Sequence, residues 1–150
     1  GFQPIDIIFV YAATQIYGIL VHTQFIKKMP KWYEVLLVSP SHHRVHHASN
    51  VRYLDKNMGM VLIIWDKIFG TFQEEEEKDP VRFGLTKPLE QPHHPVHIVT
   101  HEWEAIISDI KQPLPFMTKL KYVFMPPGWS HDGSRKTANE LRKELYEKEN

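Results

Sequence analysis

The stretch SHHRVHHASN, residues 41 to 50, places four histidines within six positions. In a helix, residues three and four apart share a face, so His43, His46 and His47 of the H-x-x-H-H pattern turn their rings to one side. Three converging imidazoles repel one another when protonated. When neutral, each presents an unprotonated nitrogen that needs a partner. A metal ion supplies that partner to all three at once. Imidazole suits zinc, copper, iron and nickel alike, so ligand type leaves the metal open. His42, four residues before His46, defines a competing face with two rings instead of three, and its role as a ligand stays open. The bland reading of the stretch is a polar, histidine-rich turn with incidental metal affinity.

A second candidate is HHPVHIVTHEW, where His97 and His101 stand four apart with Glu102 adjacent. The glutamate follows the second histidine, and Pro95 interrupts the approach. The likeness to the H-E-x-x-H zinc motif is therefore superficial, and these are read as surface or interfacial histidines. Other chemistries are excluded more firmly. Cysteine is absent, which removes disulfides, thiolate nucleophiles and cysteine-ligated metal or iron–sulfur sites. Eighteen basic residues balance eighteen acidic ones, with no basic stripe, so nucleic acid is not an expected partner. No Gly-x-Ser-x-Gly elbow or glycine-rich phosphate loop occurs among the 7 glycines.

The cluster must be positioned by the elements around it. Residues 7–26, IIFVYAATQIYGILVHTQFI, contain no Asp, Glu, Lys or Arg. As a helix, such a run reaches about 30 Å, the thickness of a bilayer's hydrocarbon core. Thr14, Gln15, His22, Thr23 and Gln24 interrupt it, so a buried helix of a soluble protein is the competing reading. Lys27, Lys28 and Lys31 follow directly, which favours the cytoplasmic side for what comes next. His22, an ionisable group near the end of a span, is expected to have a partner; the alternative is a neutral interfacial ring bonded to a carbonyl. KWYEVLLVS, between Pro30 and Pro40, reads as an interfacial segment or helical turn, and Ser39 or Ser41 as the cap of a helix carrying the histidines. Residues 58–72, MGMVLIIWDKIFGTF, form a second apolar stretch, interfacial or packed on the core. The EEEE of residues 74–77 reads as a solvated loop without a specific role. Pro88, Pro92 and Pro95 predict an irregular crossing over 86–97, followed by a helix over roughly 98–111. Thr137 and Glu140 have the spacing of a capping box opening a charged terminal helix or tail.

Together, PSHHRVHHASNVRYLDKNMGMVLIIWDKIFGTF (residues 40–72), FGLTKP (83–88) and PPGW (126–129) resemble the fatty acid hydroxylase and sterol desaturase superfamily, with most likeness to its alkylglycerol monooxygenase-like branch. The resemblance covers most of residues 7–129. It implies a mainly α, integral-membrane helical fold with a histidine-rich metal site on the cytoplasmic side. Residues 1–130 would form the C-terminal part of a membrane hydroxylase or desaturase domain, and 131–150 a charged helix or tail. The implied enzyme is a non-haem di-iron oxygenase that uses O₂ to hydroxylate or desaturate a lipid C–H bond. Ether-lipid cleavage is the activity of the branch, and a sterol or fatty acyl chain the alternative substrate. The resemblance implies His22, His43, His46 and His47 as iron ligands, and Asp55 and Asn57 of LDKN as groups that orient those rings; a turn or helix cap is the other reading of that pair. Two irons, a lipid substrate, a membrane and an electron donor, for this branch a pterin, complete the expectation. The family's two earlier histidine boxes lie upstream of this pattern, and residues 1–21 contain no histidine, so this piece is expected to be inactive alone. NMGM at 57–60 also departs from the more aromatic NYGG-like pattern. A metal-binding module that is soluble or peripheral, or a non-catalytic membrane interaction protein, are the readings from other classes.

Overall fold

The computed structural model describes residues 1–89 and 91–149, with seven α-helices among them. They fall into two compact units, Gly1–Gly84 and Leu85–Asn150.

In the first unit, α1 runs Pro4–Val21, starting three residues before the expected 7–26 run and stopping five short of its end. Its start is set by Pro4 in the first turn and by a capping box in which the Asp6 carboxylate accepts the Gln3 N–H at 3.0 Å. At its end the His22 amide donates to the Ile19 carbonyl. His22 leaves helical geometry at φ −76°, ψ 65°, and the carbonyls of Thr23, Ile26 and Lys27 in the following loop all accept hydrogen bonds from Arg44. Arg44 thereby holds the loop that leaves the helix in one path. With 18 residues and a mean hydropathy of 1.6, α1 is long and apolar enough to cross a membrane. Only Gly18 and Val21 of it are buried.

Three short helices complete this unit: α2 (Lys31–Leu36), α3 (Pro40–His46) and α4 (Ile64–Phe69), with a 3-10 turn at Val51–Tyr53. Two isolated antiparallel bridges, Leu37 with Leu62 and Ala48 with Phe83, stand in for a sheet among the described residues. The amide of Val38 donates to Val61 and that of Ile63 to Leu36, at 2.9 and 3.0 Å, so the approach to α3 is paired with the approach to α4. The Lys67 ammonium reaches back to the carbonyls of Glu34 and Val35 near the end of α2. The Tyr17 hydroxyl donates to the Val38 carbonyl at 2.6 Å, and its remaining partner, the Tyr33 hydroxyl, also lies at 2.6 Å. One residue of α1 thereby fixes the entry to the histidine helix.

Much of what is buried here is polar. Val38, Val45, Ala48, Tyr53 and Ile63 are accompanied by Asn50, Asn57, Asp66, Arg44 and Arg52. Asp66 accepts from the amides of Met58 and Gly59 at 2.7 and 2.9 Å and from the Thr71 hydroxyl at 2.6 Å. This closes the loop between the histidine segment and α4. Gly59 is required there, because a β-carbon would stand 2.7 Å from the Leu62 carbonyl oxygen and 2.9 Å from Asp66 Oδ2. The apolar stretch 58–72 thus divides: Ile63 and Asp66 face inward, whereas Met58, Trp65, Ile68 and Phe69 are exposed.

The acidic run 74–77 corrects the expectation of a loop without a role. Glu75 is bonded to Arg44 through both carboxylate oxygens and to the Ser41 hydroxyl, and the Glu76 amide donates to the Tyr53 hydroxyl at 3.0 Å.

The second unit contains α5 (Pro95–Lys111), α6 (Phe116–Phe124) and α7 (Ala138–Glu149). Helix α5 opens three residues earlier than expected because the His94 side chain accepts the His97 amide at 3.2 Å. Helix α6 has no counterpart among the expected elements. The Thr137–Glu140 capping box forms, with the Thr137 amide donating to the Glu140 carboxylate at 2.8 Å.

Replacing Asp66 by Ala leaves two amides and a hydroxyl without their acceptor, a loss of about 2–4 kcal/mol. Thermal unfolding of the detergent-solubilised protein is expected to show a clearly lowered midpoint, and an unchanged midpoint would contradict this account of the loop.

Candidate metal centre

The histidine helix is capped from its own sequence. Pro40 occupies its first turn, and the Ser39 side chain accepts the His42 amide at 3.3 Å while His42 Nδ1 accepts the Ser39 amide at 3.3 Å. A histidine here plays the reciprocal part that Glu or Gln usually plays in a capping box. His42 is buried, its ring set edge-on against Phe72 at 5.4 Å. Burial lowers its pKa, with Lys67 adding to the effect and Glu34 opposing it.

On the other side of α3, the Nε2 atoms of His22, His43 and His47 form a triangle with edges of 2.8 Å (22 to 43), 3.1 Å (22 to 47) and 3.1 Å (43 to 47). Among the described residues, these three are the histidine or acidic side chains gathered closely enough to hold one ion. Hydrogen bonds among themselves cannot satisfy the triangle, since each ring nitrogen carries either one proton or one lone pair. His22 settles its own tautomer. Its Nδ1 lies 2.5 Å from the Gly18 carbonyl oxygen, which can only accept, so Nδ1 carries the proton and Nε2 presents a lone pair to the triangle.

The donor set fits a first-row metal ion. At metal–nitrogen bonds of about 2.1 Å, ligands at right angles stand about 3.0 Å apart and tetrahedral ligands about 3.4 Å. The observed edges of 2.8 to 3.1 Å bring the three nitrogens close enough to serve one such ion. The electrostatics agree. Burial, followed by the neighbouring His22, His47 and His46, pushes the His43 pKa down to about 4, and burial with His46 and His22 lowers that of His47. Both rings are therefore neutral at physiological pH, the form that binds metal.

The remaining site candidates take other places. His46 lies outside the triangle, its ring stacked on His43 at a centroid distance of 5.6 Å and edge-on to His47 at 5.1 Å. Asn57 is buried with φ +52°; its amide donates to the His42 and Gln73 carbonyls and its oxygen accepts the Gln73 amide. It therefore acts on the histidine helix through backbone. Asp55, with φ +55°, is exposed, and among the described residues no hydrogen bond joins it to the imidazoles. His97 and His101 sit one turn apart on α5, His101 Nδ1 bonded to the carbonyls of His97 and Ile98.

Arg44 is the residue that sequence reasoning passed over. Besides the three loop carbonyls, it engages Glu75, with Nη2 to Oε2 at 2.6 Å. Burial opposes the charge on Glu75, but the hydrogen bonds from Arg44 and Ser41 outweigh it and hold the carboxyl below its ordinary pKa. An open pocket of about 470 Å³ adjoins the triangle, lined by Val21, Thr23, Gln24, Arg44, Phe83 and Gly84 together with the three histidines.

Residues 1–71, which include every histidine of this site, match the fatty acid hydroxylase family. The chain is also similar to individual curated proteins. It is 39% identical to the alkylglycerol monooxygenase of Homo sapiens over 134 residues, which are 89% of this chain and 29% of that protein. Its identity to the alkylglycerol monooxygenases of Caenorhabditis elegans and Xenopus tropicalis is 36% and 38%, over 77% and 76% of this chain and 24% and 25% of theirs. The chain thus spans under a third of the length of these relatives. No solved structure matches it.

The depressed His43 pKa has a definite sign. An unfolded chain takes up this proton near pH 6.5 and the folded one only near pH 4, so the stabilisation is complete above pH 6.5 and is lost as pH falls toward 4. Metal-free protein is expected to lose thermal stability across that window, and His43→Gln to flatten the loss; identical pH profiles for the two proteins would contradict the assignment.

Proposed function

We propose that this chain is the C-terminal part of a membrane-bound non-haem iron oxygenase acting on a lipid, in which His22, His43 and His47 hold iron. The observation that carries this reading is the Nε2 triangle at the foot of α1. His22 is held through the Gly18 carbonyl, the helix carrying His43 and His47 is capped by Ser39 and His42, and the triangle opens toward a pocket where Val21 and Phe83 are apolar. Iron held there would supply the redox chemistry that activates O₂ for attack on an unreactive C–H bond. The protein's own part is to keep His43 and His47 neutral, to fix the His22 tautomer, and to place the imidazoles where a lipid chain can reach them from the apolar phase.

The finer reading is a di-iron centre. His46, stacked beside the triangle, is available to a second ion whose other ligands come from histidine boxes outside this chain. The basic run Lys27, Lys28 and Lys31 just past α1 supports a cytoplasmic position for the centre. The similarity to alkylglycerol monooxygenases favours an ether lipid as substrate with a pterin as electron donor; a sterol or a fatty acyl chain is the alternative. Asn57 supports the histidine helix through its bond to the His42 carbonyl, and Asp55 has no such contact among the described residues.

Full-length protein purified from membranes is expected to carry about two irons per chain. His43→Ala and His47→Ala should each lower lipid oxidation by at least ~100-fold together with iron content. Undiminished lipid oxidation by a metal-free preparation would overturn the proposal. Comparing the lipids of cells with and without the intact protein separates ether cleavage from sterol or acyl oxidation.

A further inference from the structure

We infer that Phe83 is a specificity-determining residue of this site, forming the apolar wall against which the substrate's hydrocarbon chain lies beside the imidazole triangle. The inference rests on the oxygenase reading and adds to it the residue that grips the substrate.

The segment 79–84 is a strap laid across the residues that follow the histidine helix, and it is held with unusual density. Asn50, 1% exposed, donates through its amide to Asp79 Oδ1 at 2.6 Å and to the Pro80 carbonyl at 3.0 Å, and accepts the Arg82 amide at 2.7 Å. The Ser49 amide donates to the Arg82 carbonyl at 2.7 Å and the Tyr53 hydroxyl to that of Asp79 at 2.8 Å. Val81 packs on the buried cluster of Val45, Ala48 and Tyr53, and Phe83 pairs with Ala48, the residue next to His47. The position of Phe83 relative to the imidazoles is therefore set by backbone pairing one residue away from one of them.

With the strap so fixed, the Phe83 ring is nevertheless 51% exposed, and it lines the same pocket as His22, His43 and His47. The fold leaves half of this residue uncovered, while the Val81 side chain two residues earlier packs on the buried cluster. Val21, the last residue of α1, also lines the pocket, together with the polar Thr23, Gln24 and Arg44. A ligand that is apolar along one side and polar at one end matches that division. Gly84 follows with φ +123°, a conformation that side chains disfavour, so the chain turns away directly after the aromatic wall.

The test uses full-length protein in membranes or detergent and a homologous series of lipids differing only in alkyl chain length. Phe83→Ala is expected to raise KM for long chains by about tenfold, with little change for short ones and with kcat and iron content near wild type. Phe83→Trp should shift the preference toward shorter chains, and Phe83→Leu should recover most of the wild-type profile. A fluorescent alkyl lipid should bind the metal-stripped Phe83→Ala protein about tenfold more weakly than metal-stripped wild type, a readout independent of turnover. If Phe83→Ala does not accumulate, the Trp and Leu variants decide. Chain-length profiles that superimpose on wild type, in a protein that loses oxidation on His47→Ala, overturn the role of Phe83 alone. Full oxidation retained by His47→Ala overturns the oxygenase reading and this inference with it.

Discussion

The guanidinium of Arg44 is the constraint on which the first unit depends. It lies within the histidine helix, yet its partners are elsewhere: three carbonyls of the loop leaving α1 and both oxygens of Glu75. Lysine could not replace it, because a single ammonium lacks the planar fork that serves several acceptors in fixed directions. By collecting those carbonyls, Arg44 ties the loop after α1 to the histidine helix, on the stretch that follows directly after His22. An ion pair of this kind costs desolvation on both sides, so its value lies less in net stability than in specifying one path for the chain.

The same device recurs through the unit. Asn50, Asn57 and Asp66 each accept or donate several backbone hydrogen bonds, replacing the ladders that a sheet would supply. Short helices and isolated bridges have little cohesion of their own. Buried amides and carboxylates that each make several hydrogen bonds give such loops definite geometry. The imidazole triangle needs that definition, since displacement of any ring by an ångström would spoil a three-point face for an ion.

The sequence carried part of this openly. The i, i+3, i+4 spacing put three imidazoles on one side of a helix, and the lack of charge in residues 7–21 marked the long apolar helix. What spacing could not resolve is how the box divides. Around a helix axis, His47 lies about 40° from His43 and His46 about 60° to the other side, so a fourth ring arriving from α1 meets one pair in preference to the other. His22 stood out as an ionisable group at the end of an apolar run, but its role beside the box came from a family resemblance, because spacing does not relate it to residues 43–47. Arg44 and Glu75 were hidden for a related reason. Donors to loop carbonyls leave no periodic trace, and one structural carboxylate among four consecutive glutamates looks like its solvated neighbours. Helix α6 was missed because its apolar residues lie between prolines at 113, 115 and 126, which read as loop punctuation.

The polar character of the interior has a thermal consequence. Heat capacity rises when apolar surface meets water on unfolding and falls when polar surface does. Ser39, Ser41, His42, Arg44, Asn50, Arg52, Asn57 and Asp66 make up much of what the first unit hides, whereas the large apolar side chains of α1 and α4 are already outside. The heat-capacity increment of opening this unit is accordingly small for its size, and its stability varies gently with temperature, without the sharp curvature and cold-side weakness of an oily core.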